Sequence, residues 1–138
     1  MSKSDPTPNA AIFLTDTDDE IRTKVRKATT DPIDTVSYDP ENRPGVANLL
    51  QIYASLSPRG LSAKQIAEEL FTGKKNQVLK EQTAELIIES TRPVRSELPR
   101  LLADHDYLVS CLRKGEEDAL RIAVANWNQF KNIVGLSL

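Results

Sequence analysis

Gly45-Val46-Ala47-Asn48-Leu49-Leu50-Gln51-Ile52-Tyr53 is the stretch that decides the fold. Val46, Leu49, Leu50 and Tyr53, continued by Leu56, recur every three or four residues. They therefore share one face of a helix instead of alternating across a strand. The same spacing repeats on both sides. Upstream, Thr17 with Glu20 fits a capping box, and Ile21, Val25 and Ala28 follow at helical intervals, which predicts a helix over 17–29. Residues 30–44 read as a loop punctuated by Pro32, Pro40 and Pro44. Downstream, Ser57-Pro58-Arg59-Gly60 is a turn, and Ser62 with Gln65 opens a helix through Ile66, Leu70 and Phe71 that stops at Gly73. A further helix starts near Asn76 through Val78, Leu79, Leu86 and Ile87, and is expected to kink or break at Pro93 and again near Pro99. Asp104 can cap a helix over 105–114 closed by Gly115. A last one, over 116–134, carries Ala119, Ile122, Ala123, Asn126, Phe130 and Ile133 and ends at Gly135. The short run Ala11-Ile12-Phe13-Leu14 reads as a buried extended segment. The expected fold is an all-α helical bundle behind a non-helical leader of about 16 residues.

Composition narrows the function classes. The chain has 138 residues, with 18 Lys and Arg against 20 Asp and Glu, so the net charge is −2. Bulk charge therefore draws in no nucleic acid, and binding of that kind needs a local patch. No apolar run reaches the roughly 20 residues that span a bilayer, and no signal or transit segment stands at the start. A single cysteine excludes an internal disulfide. Leu108, Val109 and Leu112 around Cys111 make it read as a buried structural thiol and not a nucleophile.

Metal and nucleophile chemistry lack their residues. One histidine, His105 between Asp104 and Asp106, reads as an exposed helix start, and no Cys or His pair stands at zinc spacing. All five glycines fall at expected helix ends or turns, leaving none for a phosphate-cradling loop. Arg22, Lys24, Arg26 and Lys27 read first as a solvated helix face near the negative dipole end, and second as a phosphate contact.

The leader carries a resemblance. Met1-Ser2-Lys3-Ser4 looks like the last four residues of the KMSKS loop of class I aminoacyl-tRNA synthetases. MSKSDP, AIFLTD and a charged helix ending KATTD resemble the tryptophanyl-tRNA synthetase family, bacterial and organellar members above all. So do SYDPENRPGVANLLQIY and RPVRSELPRLLADHDYLVSCLRKGEEDALRIA. The resemblance covers essentially the whole chain, in order. It implies residues 1–16 as the KMSKS loop and end of a catalytic domain, and 17–138 as a helical domain that binds the tRNA anticodon arm. It also implies activation of tryptophan by ATP with Mg²⁺, followed by transfer to tRNA(Trp). Lys3 falls on the motif's catalytic lysine, with Ser2, Lys3 and Ser4 as ATP-binding residues, and no metal is held by the protein. The motif's first lysine has no counterpart. No strand–helix alternation and no His-x-Gly-His occur, so the Rossmann-type catalytic domain is absent and the isolated chain is expected to be inactive. Faces such as Ile12-Phe13-Leu14 are expected to pack on that absent part and to stand exposed without it.

For tRNA contact the candidates are Arg92, Arg95 and Arg100 around the prolines, Lys74, Lys75 and Lys80 at a helix start, and Asn126. Trp127 is weighed as core packing ahead of a base platform. The resemblance further implies a homodimer, no membrane association, and a bacterial cytoplasm or mitochondrial matrix. The competing reading is a non-catalytic helical module that binds tRNA or another protein.

Overall fold

The first local decision of the chain is a capping box, and a computed structural model describing residues 11–136 shows it in place. The Thr17 hydroxyl accepts from the Glu20 amide at 3.3 Å, and the Glu20 carboxylate accepts from the Thr17 amide at 2.7 Å. These bonds start α1, Asp18–Lys27, whose first turn is acidic and last turn basic, as the helix dipole favours. A second box on Ser62 and Gln65 starts α3, Ala63–Leu70. Between them lies α2, Pro44–Leu56, with proline at its first position, where the missing N–H is not needed. Then follow α4, Asn76–Ala103, and α5, His105–Ile133. Five helices and one isolated bridge, Thr35 with Lys75, make up the regular structure among the described residues. No helix there is long and apolar enough to cross a membrane.

The chain divides at the Arg95–Ser96 peptide into two units. The first holds the core. Ile21 and Val25 of α1, Val46, Leu49 and Leu50 of α2, and Ile66 of α3 are buried in one cluster with Phe71, Leu79, Ile87 and Ile88. Tyr53 meets Phe71 edge to face at 5.3 Å, a favoured aromatic geometry. Gly45 is required by a close approach: a Cβ there would stand 2.3 Å from the Thr29 carbonyl oxygen. The loop between α1 and α2 is irregular, yet Arg43 gathers several of its polar groups. Arg43, only 4% exposed, donates to the Asp31 carboxylate, the Thr35 and Ile33 carbonyls and the Ser37 hydroxyl at 2.6–2.9 Å. Asn76 ties the same loop to the start of α4 through its amide to the Asp34 carbonyl and its Nδ2 to the Ile33 carbonyl.

The second unit contains the end of α4, Asp104 and α5. Asp104 caps α5 by accepting from the Tyr107 amide at 3.0 Å, as expected. Along all of α5 no residue is buried.

Five expectations are corrected. The chain does not break at Pro93 or Pro99, because α4 runs through both. Each proline removes one backbone N–H, but both stand at exposed positions where the relieved carbonyl can bond water. Gly115 closes nothing either: it lies inside α5 and lacks the positive φ seen at Gly60, Gly73 and Gly135. Good helix formers on both sides outweigh the roughly 1 kcal/mol that a mid-helix glycine costs. Ile12, Phe13 and Leu14 do not form a buried extended segment but are exposed and turn at Leu14-Thr15. Cys111 is exposed, because its helix buries no face. For the same reason Trp127 is 54% exposed and stacks on Phe130 at 5.5 Å instead of entering the core.

Candidate functional site

Ser2, Lys3 and Ser4 lie outside the described residues. What the structure does describe is the root from which they extend. Asp16, the residue before the Thr17 cap, is held at both its polar ends. Its carboxylate accepts from Lys24 Nζ at 2.6 Å and from the Phe13 amide at 2.7 Å. Its carbonyl oxygen accepts two bonds from Arg95, from Nε at 3.1 Å and from Nη2 at 2.7 Å. Nη2 also reaches Asp18 Oδ1 at 2.6 Å. The Lys24–Asp16 pair is nearly covered, with side chains 11% and 10% exposed, and Lys24 Nζ also lies 4.8 Å from the centre of the Phe13 ring. Charge-assisted bonds shielded from water in this way are stronger than exposed ion pairs.

Beside the root, a cleft of about 760 Å³ opens between α1, the loop at Thr30–Asp34 and the start of α4. Arg22 bridges it, binding Glu85 through two nitrogens at 2.6 and 3.2 Å and Asp19 at 2.9 Å. Arg22 holds the Glu85 carboxyl below the usual carboxylate range, and its own guanidinium is held protonated. Lys80 Nζ donates to the Ala28 and Arg26 carbonyls at 2.7 and 3.3 Å, a cation on the open carbonyl end of α1. The lining therefore sets five carboxylates against three cations, two of them already engaged. Four of those carboxylates are themselves paired, Asp19 and Glu85 with Arg22, Asp31 with Arg43 and Asp34 with Lys75.

The basic residues expected to touch RNA fall into two groups. Lys80 and Arg95 are partly covered and bonded within the protein. Arg92, Arg100, Lys74 and Lys75 are exposed. Arg92 and Arg100 pair with acids three residues back, Glu89 and Glu97, at 2.8 Å. Lys75 pairs with Asp34 at 3.1 Å, and Lys74 lies 5.5 Å from the Phe71 ring. Asn126 is exposed on α5. In the charged cluster of α1, Lys24 and Arg22 are structural anchors, while Arg26 and Lys27 face solvent. Sequence reasoning gave no role to Arg43 or to Asp16. Their partners lie far along the chain or on irregular backbone, which periodicity does not register. No group of three or more His, Cys, Asp or Glu side chains that could hold a metal ion occurs among the described residues.

Comparison with known proteins adds the following. The profile of a family described as tRNA synthetases class I (W and Y) matches residues 1–91. The mitochondrial tryptophan–tRNA ligase of Dictyostelium discoideum is 40% identical over 136 residues, covering 99% of this chain and 35% of that protein. The tryptophan–tRNA ligase of Rickettsia conorii is 40% identical over 138 residues, covering 98% of this chain and 40% of its own length. That of Bacillus anthracis is 36% identical over 137 residues, covering 99% and 40%. In fold, the chain resembles tryptophanyl-tRNA synthetase from Mycoplasma pneumoniae with a TM-score of 0.71 at 24% identity, covering 99% of this chain and 41% of that one. The chain thus spans about two fifths of the length of the curated relatives it matches.

Proposed function

Because the chain belongs to the class I tRNA synthetases of the tryptophan and tyrosine family, we propose that it acts as the C-terminal portion of a tryptophan–tRNA ligase. The observation that carries this reading is the identity of about 40%, held over nearly every residue, with ligases named for tryptophan. On this reading residues 1–16 close the ATP site and residues 17–138 form the helical tRNA-binding domain. Tryptophan and Mg²⁺-bound ATP are substrates, and tRNA(Trp) is the acceptor. The whole enzyme is a homodimer in a bacterial cytoplasm or a mitochondrial matrix, the relatives being of both kinds.

The chemistry follows from charge. As the tryptophan carboxylate attacks the α-phosphorus of ATP, negative charge grows on the departing pyrophosphate. A compact ammonium on a short loop stabilises that charge, and this is the role of Lys3. Ser2 and Ser4, being small, let the backbone approach the phosphates and offer hydroxyl donors. The tRNA backbone is met by Arg92, Arg100, Lys74 and Lys75. The ion pairs of Arg92, Arg100 and Lys75 are exposed and screened by water, so exchanging the nearby acid for a phosphate costs little. Asn126 offers an amide to a base edge, and the half-exposed Trp127 offers a ring face. Arg95, with its guanidinium turned inward, is set aside as a phosphate contact.

Two measurements test the proposal. The pure 138-residue chain should show no tryptophan-dependent ATP–pyrophosphate exchange, and exchange by it would overturn the fragment reading. Fused in place of the matching part of the Rickettsia conorii ligase, it should support exchange. There Lys3→Ala should lower the rate about 10²–10³-fold, and an inactive fusion or an unaffected variant counts against the reading.

A further inference from the structure

We propose that Arg95 is a positioning residue for the leader: with Lys24 it clamps Asp16 and so sets the direction in which the chain leaves α1 toward Lys3. The functional half of this inference rests on the role proposed above for Lys3. The structural half stands on the described residues alone. Asp16 is the last residue before the α1 cap, and both its carbonyl and its carboxylate are taken, the first by Arg95 and the second by Lys24 and the Phe13 amide.

The burial pattern shows what this clamp holds. Ile12, Phe13 and Leu14 are 39–49% exposed, and none of them enters the core of the first unit. The Asp16 amide closes a tight turn on the Phe13 carbonyl at 3.0 Å, and the Lys24 ammonium sits over the Phe13 ring. Among the described residues, the Asp16 carboxylate and carbonyl each meet a cation, Lys24 and Arg95. Arg95 comes from α4, 79 residues further along the chain, so the root is referenced to the core and not merely to its own helix. A guanidinium suits this task. Its planar fork meets the Asp16 carbonyl with two nitrogens while Nη2 also takes Asp18, a geometry one ammonium does not reproduce.

The decisive measurement is amide hydrogen exchange by the 138-residue chain carrying Arg95→Met or Arg95→Lys. In Arg95→Met the amides of residues 13–17 should exchange about tenfold faster or more, while those of Ile66, Leu79 and Ile88 stay unchanged. Arg95→Lys should recover only part of the protection. Equal acceleration throughout would reduce Arg95 to a general stabiliser, and no acceleration at residues 13–17 would remove the clamp; either result overturns the proposal. The fusion enzyme supplies the functional readout. Arg95→Met should lower kcat of pyrophosphate exchange about tenfold and leave the KM for tryptophan unchanged. If Lys3→Ala lowers exchange and Arg95→Met does not, the clamp does not position Lys3 and this inference fails alone. If Lys3→Ala itself has no effect, the reading of the leader fails, and the clamp is then judged on the amides.

Discussion

The two units are built from similar apolar residues and use them in opposite ways. Before Arg95, a cluster that includes Ile21, Leu50, Phe71 and Ile88 is buried, and an arginine is buried with its hydrogen bonds satisfied. After it, Leu112, Ile122, Trp127, Phe130 and Ile133 stand exposed along a helix with no buried residue. Amphipathic periodicity is thus present in both, but only in the first is the apolar face buried. Helical spacing shows that a face wants covering; it does not say by what.

The sharpest way to break this contrast is one substitution made twice. Phe71→Ala empties a fully buried site and should destabilise the first unit by about 3–5 kcal/mol. Phe130→Ala, made at a half-exposed ring, should cost less than about 1 kcal/mol. Comparable shifts in urea midpoint would mean that α5 contributes to a core after all. Next comes Arg43→Met, which leaves Asp31 and two carbonyls without their donor and should cost about 2–4 kcal/mol. A loss within error of zero would show that water replaces the guanidinium.

Two glycines give effects of opposite sign. Gly45→Ala drives a Cβ into the Thr29 carbonyl and should destabilise by about 1–3 kcal/mol. Gly115→Ala meets nothing within 4 Å and should stabilise by up to about 1 kcal/mol, read as a higher Tm. A lower Tm for Gly115→Ala would show that the glycine is needed where it stands.

The smallest effect is one of pH. The Arg43 guanidinium, and next the Ile33 amide, hold the Asp31 carboxyl below its ordinary range against the opposing pull of desolvation. A carboxyl lowered on folding contributes stability that is complete above its unfolded value, near 3.9, and is lost as pH falls through the lower folded value. Asp31→Asn should therefore flatten the acid limb of the stability curve below about pH 4. An unchanged limb would place the acid sensitivity elsewhere, Glu85 being the next carboxyl held low by an arginine.

Much of the architecture was legible in the sequence because its signals are local. Thr17 with Glu20 and Ser62 with Gln65 bond within one turn, so two helix starts could be read from four residues each. Glycines at the true ends, Gly60, Gly73 and Gly135, take the positive φ that ending a helix or turning the chain requires. Local signals misled where context outweighed them, at Pro93 and Pro99 inside α4 and at Gly115 inside α5. The clamp on Asp16 and the hub at Arg43 were not legible at all. Arg95 and Asp16 are 79 residues apart, and Arg43 bonds mostly to backbone that has no regular period.

The bidentate bond from Arg22 to Glu85 spans 63 residues, and this has a bearing on synthesis. A ribosome adding about 5–20 residues per second needs roughly 3–13 s to extend the chain from one partner to the other. During that interval Ile21 and Val25 have none of the α4 side chains they will join in the core. Through that interval the apolar face of α1 stands without its α4 partners, and translation speed between residues 22 and 88 sets how long chaperones have access to it.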